Sequence, residues 1–442
     1  MAAVEQLLAA LRGTGPVAAA ELAGRLGVSQ PTLSRLVRAA GERVRRLGKA
    51  RATRYALARP VPGLGDRLPL FQIDEHGASR PFGMLHLLAS DHCWLEREIG
   101  GGTVFAGLPP LAWDMCPQGF LGRGFTTRCP DLDLPRRLAD WNDDHRLTAL
   151  ARRGEDCVGD LVLGAESLDR WIVSDPKIYA RRLYPQLART ALTQQPGSSA
   201  GGEQPKFAAR VRAGHVLVKF AHDEAGAASA RWRDLLICEC VALDVVRAAG
   251  VPAAKATWFD REGTRFLEVA RFDRVGERGR RGVVSLGALD TQHYGMRDSW
   301  TKAALRMLAE PCGSVDPADL RRLRWLDVFG ELIGNSDRHF GNVSFFTDHA
   351  ERPTLQLTPV YDMLPMAFAP QGTSIVERPF APRPPSADTL DVWHDAAKHA
   401  LAYWRRLAKT PDLSRGFRTI ASRCGSDIAT LIQRHAATAP GD

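Results

Sequence analysis

Cysteine is scarce: there are eight in 442 residues, and no two form a C-x-x-C pair. That argues against a disulfide framework and against the zinc or dithiol chemistry that such pairs announce. The closest two, Cys238 and Cys240, lie in an apolar helical stretch and read as packing. Long apolar runs are missing too, since no stretch approaches the roughly eighteen residues of a membrane span. The opening MAAVEQLLAALRGTG lacks the basic-then-apolar order of a secretory signal, so a reduced, cytoplasmic protein with no membrane partner is expected. A Walker A loop, G-x-x-x-x-G-K-[ST], is absent as well. Acidic residues run short at the start of the sequence. Residues 1–60 hold eleven basic side chains against three acidic ones (Glu5, Glu21, Glu42), which is +8 of the formal +9. The rest, with 45% apolar and 25% charged residues overall, is ordinary globular composition long enough for several domains.

The cationic head has an order of its own. Residues 2–12 and 18–26 carry leucines at helical spacing, and Gly27-Val28-Ser29-Gln30-Pro31 is a turn followed by a helix start running to about Ala40. Gln30, Thr32, Ser34, Arg35 and Arg38 fall on the outward side of that helix. Two short strand-like pieces follow around Gly48-Lys49-Ala50-Arg51, with Arg45, Arg46 and Arg54 beside the turn. Three helices and a basic hairpin are the order of a winged helix-turn-helix, whose third helix enters the major groove while the wing tracks phosphates. Residues 1–62 are therefore expected to bind double-stranded DNA, with nucleoid association when bound; a small adaptor with solvated charges fits the same pattern. Arg59-Pro60-Val61-Pro62-Gly63-Leu64-Gly65 reads as a linker.

Residues 66–195 are mixed. Leu134–Arg153, with Trp141, reads as a helix, and the scattered His76, His86, His92 and His145 match no metal or nucleophile–base spacing. Beyond Gln195 the signals sharpen. A Gly/Ser/Pro run precedes two strands, Phe207–Val211 and His215–Phe220. Such a loop can lay backbone N–H groups over phosphates, though a flexible linker fits it equally. Lys219 and Glu239 each sit in apolar surroundings, where a charge needs a partner. An apolar helix ends at Gly334, and a polar loop then carries Asp337 and Asn342 in D-x-x-x-x-N spacing. A base for the attacking hydroxyl and a metal ligand on the same phosphates both need one rigid loop. A returning strand ends in Asp362, where a hairpin brings it beside Asn342. Together these five elements read as a phosphotransferase.

The same residues resemble the HipA family of toxin serine/threonine kinases. The similarity runs through Ser199–Lys206 (SAGGEQPK), Val269–Arg274 (VARFDR), Asn335–Asn342 (NSDRHFGN) and Thr358–Asp362 (TPVYD), with the PQGFLGR patch from Pro117 resembling that family's N-terminal subdomain. A helix-turn-helix ahead of the kinase looks like the YjjJ type. The resemblance implies ATP and Mg2+ as cofactors, Asp337 as catalytic base, and Asn342 and Asp362 as metal ligands. It implies Lys219, oriented by Glu239, and His339 on the nucleotide, with Gly201, Gly202 and Lys206 in a loop over it. Ser199 would be the autophosphorylation site, with Ser198 as its neighbouring alternative. Glu268, Ala270 and Phe272 would form the adenine hinge. Two departures stand out: Ala270 replaces the family's hinge glutamate, and Gly341 replaces a frequent Lys, a charge for which Arg338 or His339 is the candidate substitute.

The expectation is an α+β chain of three parts. Residues 1–62 form the winged helix-turn-helix; 63–270 form the N-terminal subdomain and a kinase-like N-lobe; 271–442 form an all-α C-lobe around the catalytic loop. The implied partner is a protein substrate of the translation machinery, and a homodimer is among the assemblies allowed. Two other readings share parts of the pattern: a DNA-binding transcription regulator with an inactive nucleotide-binding domain, and a small-molecule kinase.

Overall fold

The structure, a computed structural model, describes residues 2–175, 177–195, 204–224, 226–376 and 378–436. The chain forms two compact units, Met1–Pro117 with Cys129–Asp175, and Gln118–Arg128 with Pro176–Asp442.

The first unit opens with α1 (Ala2–Leu11), β1 (Val17–Ala18), α2 (Ala19–Leu26) and α3 (Gln30–Ala40). Leu7, Leu8, Leu11, Leu22 and Leu33 close a small core over β2 (Val44–Leu47) and β3 (Arg54–Leu57), in the sheet order β1-β3-β2. α2 stops at Gly27, whose φ of 62° lies in the left-handed region that a side chain would strain. Ser29 then caps α3, its hydroxyl accepting from the Thr32 N–H at 3.4 Å, with Pro31 in the first turn.

The expected linker is folded. Val61 is buried, and Val61 and Gly65 exchange backbone hydrogen bonds of 2.8 and 2.9 Å. A five-stranded antiparallel sheet follows, built from β4 (Arg67–Ile73), β5 (Ser79–Leu88), β6 (His92–Arg97), β7 (Gly102–Ala106) and β8 (Leu161–Leu163), in the order β7-β6-β5-β4-β8. The head's hairpin is joined to it. Ala89 N–H donates to Leu57 O at 2.8 Å and Arg59 N–H to Leu87 O at 2.9 Å, while Leu47 and Ala56 pack with Leu88 and Trp94.

α4 (Pro110–Met115) packs on this sheet, whereas α5 (Gly119–Arg123) and α6 (Phe125–Arg128) belong to the second unit. The helix expected over 134–153 is shorter. α7 (Asp143–Arg153) starts only at Asn142, whose side chain accepts from the His145 N–H at 3.0 Å in a capping box. Trp141 precedes the helix, its indole N–H bound to Pro135 O at 2.7 Å. α8 (Ala165–Val173) completes the unit.

The second unit continues with α9 (Tyr184–Thr193), β9 (Lys206–Val211), β10 (Gly214–His222), α10 (Ala227–Ala248), β11 (Ala256–Arg261) and β12 (Thr264–Ala270). The sheet order is β11-β12-β10-β9. Strand alternation gives it two apolar faces. Phe207, Phe220 and Phe266 meet Tyr184 of α9 on one, while Leu267 and Val269 meet Leu236 and Cys240 of α10 on the other.

The remainder runs through β13 (Arg274–Val275), β14 (Gly279–Arg280), β15 (Val283–Ser285), α11 (Leu286–His293), α12 (Trp300–Ala309), β16 (Ser314–Val315), α13 (Pro317–Leu332), β17 (Ser344–Thr347), β18 (Thr354–Leu357), α14 (Leu390–Ala408) and α15 (Arg415–Arg434). Trp300, Phe329, Trp393, Tyr403, Trp404 and Phe417 fill its core. It is not all-α: beyond the expected hairpin, β17–β18, the unforeseen β15 and β16 join to make a four-stranded sheet, β15-β17-β18-β16. Strands this short carry little periodicity of their own, and the paired neighbours supply the rest of their hydrogen bonding.

Candidate active site

Lys219 lies mid-strand in β10, opposite Lys206 of β9 and Leu267 of β12, and faces α10. Its ammonium donates to both oxygens of Glu239, at 2.8 and 2.7 Å, and also to Asp362. Lys219 and Glu239 are buried, so neither charge is tolerable without the other. Burial pushes the Lys219 pKa down, but the two carboxylates outweigh it and hold the lysine above its ordinary value. Burial pushes Glu239 up, opposed chiefly by Lys219. Burial would also raise Asp362, yet Lys219 and then Lys206 bring its carboxyl down to about 2. Asp362 is therefore a stable anion.

The hairpin delivers Asp362. Phe345 pairs with Leu357 across β17 and β18, and the chain then runs through Thr358, whose hydroxyl donates to Ser344 O at 3.0 Å. Next, the Tyr361 hydroxyl donates to Gly341 O at 2.9 Å, pinning the residue before Asp362 to the residue before Asn342. Asp362 itself has φ 55°. A left-handed aspartate is tolerated but costs energy, and such strain concentrates at functional sites.

Asp337 and Asn342 share the loop after α13. The Asp337 N–H donates to Asn335 Oδ1 at 2.9 Å, and Asn342 Nδ2 donates to Asp337 O at 2.9 Å. Asn335 and Asn342 are buried, while about half of the Asp337 side chain (51%) is exposed. The loop thus presents a carboxylate on a fixed backbone. His339 lies beside it: Nδ1 accepts from the Gly341 N–H at 3.0 Å, so the neutral ring carries its proton on Nε2, 3.8 Å from Asp337 Oδ1. A Cβ at residue 341 would come within 3.0 Å of that ring, which is why glycine suits the position.

The other expected residues divide. Lys206 faces the same side of the sheet as Lys219. Phe272 meets Phe346 edge-on and Tyr361 at a tilt, at 5.8 and 5.6 Å between ring centres. Ala270 ends β12, its N–H bound to Lys255 O at 2.8 Å. Glu268 needs correction as a nucleotide-binding side chain. It pairs with Val218 rather than Lys219, so it points to the opposite face, where Tyr184 donates to it at 2.6 Å and Arg181 Nε at 3.1 Å. Ser198, Ser199, Gly201 and Gly202 lie outside the described residues. Arg338 turns away from Asp337, its Nε on Asp327 Oδ1 at 3.0 Å, so of the two candidate substitutes only His339 stays beside the carboxylate. The sequence reading missed Asp327 and Asn335; a buried Asp within the apolar run of α13 was the available signal.

In the head, Gln30, Ser34, Arg35, Arg38, Arg46, Lys49 and Arg54 are exposed and Thr32 half-buried. Arg45 departs from the expected set: it is half-buried and ion-paired with Asp66. The side chain of Arg51 lies outside the description.

Two stretches of the chain match known protein families. Residues 64–172 match the family described as YjjJ-like toxin, middle domain, and residues 198–434 match the HipA-like C-terminal domain. Toxin YjjJ of Escherichia coli (strain K12) is 36% identical over 434 residues, spanning 95% of this chain and 96% of that protein. The chain belongs to the HipA-like toxin family. Two solved structures are also similar to this HipA-like toxin. One is the Shewanella oneidensis MR-1 toxin–antitoxin complex of HipA, HipB and operator DNA, with TM-score 0.49, 16% identity, and 83% of this chain and 97% of that chain covered. The other is the Helicobacter pylori proinflammatory kinase CtkA, with TM-score 0.36, 14% identity, and 55% and 93% covered. No helix among the described residues of the HipA-like chain is long and apolar enough to cross a membrane.

Proposed function

We propose that this HipA-like toxin is a cytoplasmic, ATP- and Mg2+-dependent serine/threonine protein kinase. The carrying observation is one cluster in which Lys219 bridges Glu239 and Asp362, with Asp337 and Asn342 fixed on one loop. Lys219, held by Glu239, would bind nucleotide phosphates, and Asp362 would hold a cation. Asn342 and Asp362 suit Mg2+, since both offer hard oxygen ligands and Asn342 has already spent its Nδ2 on Asp337 O. Asn342 and Asp362 would hold the metal, and bound phosphate oxygens and water would supply further hard oxygen ligands. When bound, the metal neutralises charge on the transferring phosphoryl group. Asp337 accepts the proton of the attacking Ser or Thr hydroxyl. The acceptors are Ser199 of the chain's own loop and a protein of the translation machinery. Phosphate on Ser199 adds nearly two negative charges where nucleotide phosphates sit, and so shuts the site.

Residues 1–62 act as a winged helix-turn-helix on double-stranded DNA and allow the toxin to regulate its own promoter. Support comes from the helix–helix–helix–hairpin order and from Arg35, Arg38, Arg46, Lys49 and Arg54, all exposed. The test of the enzyme is incubation with labelled ATP and Mg2+, beside Asp337→Asn and Ser199→Ala. Label is expected on the wild type, none on Asp337→Asn, and none on Ser199→Ala itself. An unlabelled wild type, with no labelled partner in a cell extract, sinks the kinase reading in favour of a regulator.

A further inference from the structure

We infer that Arg338 is a positioning residue, the clamp that fixes Asp337 for phosphoryl transfer. The inference rests on the kinase reading above. Arg338 and Asp337 are sequence neighbours with opposite fates: about half of the Asp337 side chain is exposed, against 18% for Arg338. The guanidinium turns toward α13. Its Nε donates to Asp327 Oδ1 at 3.0 Å, one Nη donates to the Asn335 carbonyl, and the other stands 3.6 Å from Glu331 Oε2.

Both ends of this clamp are anchored. The other oxygen of Asp327 accepts from the Thr301 N–H at 3.0 Å and the Thr301 hydroxyl at 2.8 Å, at the start of α12. Asn335, whose carbonyl Arg338 holds, uses its side-chain oxygen to hold the Asp337 N–H at 2.9 Å. A continuous chain therefore runs from α12 through Asp327, Arg338 and Asn335 to the backbone of Asp337. Gly330 makes room for it: a Cβ there would come within 2.7 Å of Arg338 Cδ and 3.3 Å of Met363 Sδ. A planar fork spreads its donors across two acceptors on different segments, Asp327 and the Asn335 carbonyl, with Glu331 nearby, whereas a lysine ammonium offers its donors from a single point.

Misplacing a catalytic group by about 1 Å costs on the order of a hundredfold in rate, so Arg338→Met should lower turnover at saturating ATP roughly that much. The KM for ATP should move by less than about threefold, because Lys219 and Asp362 are untouched. Arg338→Lys should recover part of the turnover. Gly330→Ala, which removes no charge, should reproduce the Arg338→Met loss by displacing the arm. Hydrogen exchange should quicken at residues 335–342 in Arg338→Met while α13 stays protected, a readout that needs no activity. Turnover within about twofold of wild type, or unchanged exchange at 335–342, overturns the assignment. So does a general loss of protection and nucleotide affinity, which marks a merely structural residue. A wild type without kinase activity sinks the underlying reading, while the exchange result still decides the clamp.

Discussion

Lys219 neutralises two carboxylates at once, one fully buried and one in the strained turn after β18. Replacing it with methionine keeps the side-chain volume but leaves Glu239 buried without its cation. Lys219→Met should therefore cost about 3–5 kcal/mol in a chemical denaturation, a range typical of broken buried pairs. Lys219→Met with Glu239→Gln should recover much of that stability without restoring activity. His86 of β5 carries a second residue-scale expectation. It stacks on Trp94 with ring centres 4.6 Å apart and meets Glu96 at 2.9 Å. Burial holds its pKa below the ordinary 6.5 despite the pull of Glu96. The unfolded chain then binds a proton that the folded one resists, so this stability is present above about pH 6.5 and lost as pH falls through it. The first unit's urea midpoint should drop between pH 7.5 and 5.5, and His86→Gln should flatten that drop.

At the scale of elements, legibility followed local chemistry. α3 could be read because a left-handed glycine, a capping serine and a proline stand in order at residues 27, 29 and 31. The loop carrying Asp337 and Asn342 stood out because its D-x-x-x-x-N spacing is the one that phosphoryl transfer would require. α7 was overextended, since the apolar pattern continues upstream while the decisive signal is the Asn142 cap. Asn142→Ala should accordingly lower stability by about 1 kcal/mol, seen as a lower melting temperature of the first unit. β15 and β16, each two or three residues long, were invisible because their pairing partners are distant in sequence. Glu268 was misjudged for a related reason: strand phase decides its face, and phase is set by pairing with β10.

At the scale of the molecule, the concentration of charge in the head gains a sharper outline. Arg25 and Arg43 pair with Glu21 and Glu5, and Arg45 with Asp66, while Arg35, Arg38, Arg46, Lys49 and Arg54 are exposed. DNA affinity should fall steeply with salt. Arg46→Ala should lessen the slope of log affinity against log salt by about 0.9, the value of one phosphate contact. Arg45→Ala should leave the slope unchanged and lower the melting temperature instead. Fluorescence anisotropy across a salt series separates the two.

The join between the head's hairpin and β5 has a consequence during synthesis. Residues 44–57 leave the ribosome before residues 88–94, so Leu47 and Ala56 on the apolar side of the hairpin wait for Leu88 and Trp94. For that interval the nascent chain is sticky and a natural client for chaperones. The smallest piece that keeps both this contact and the sheet's own core closed is accordingly the whole first unit, with α4, α7 and α8 as well as the sheet.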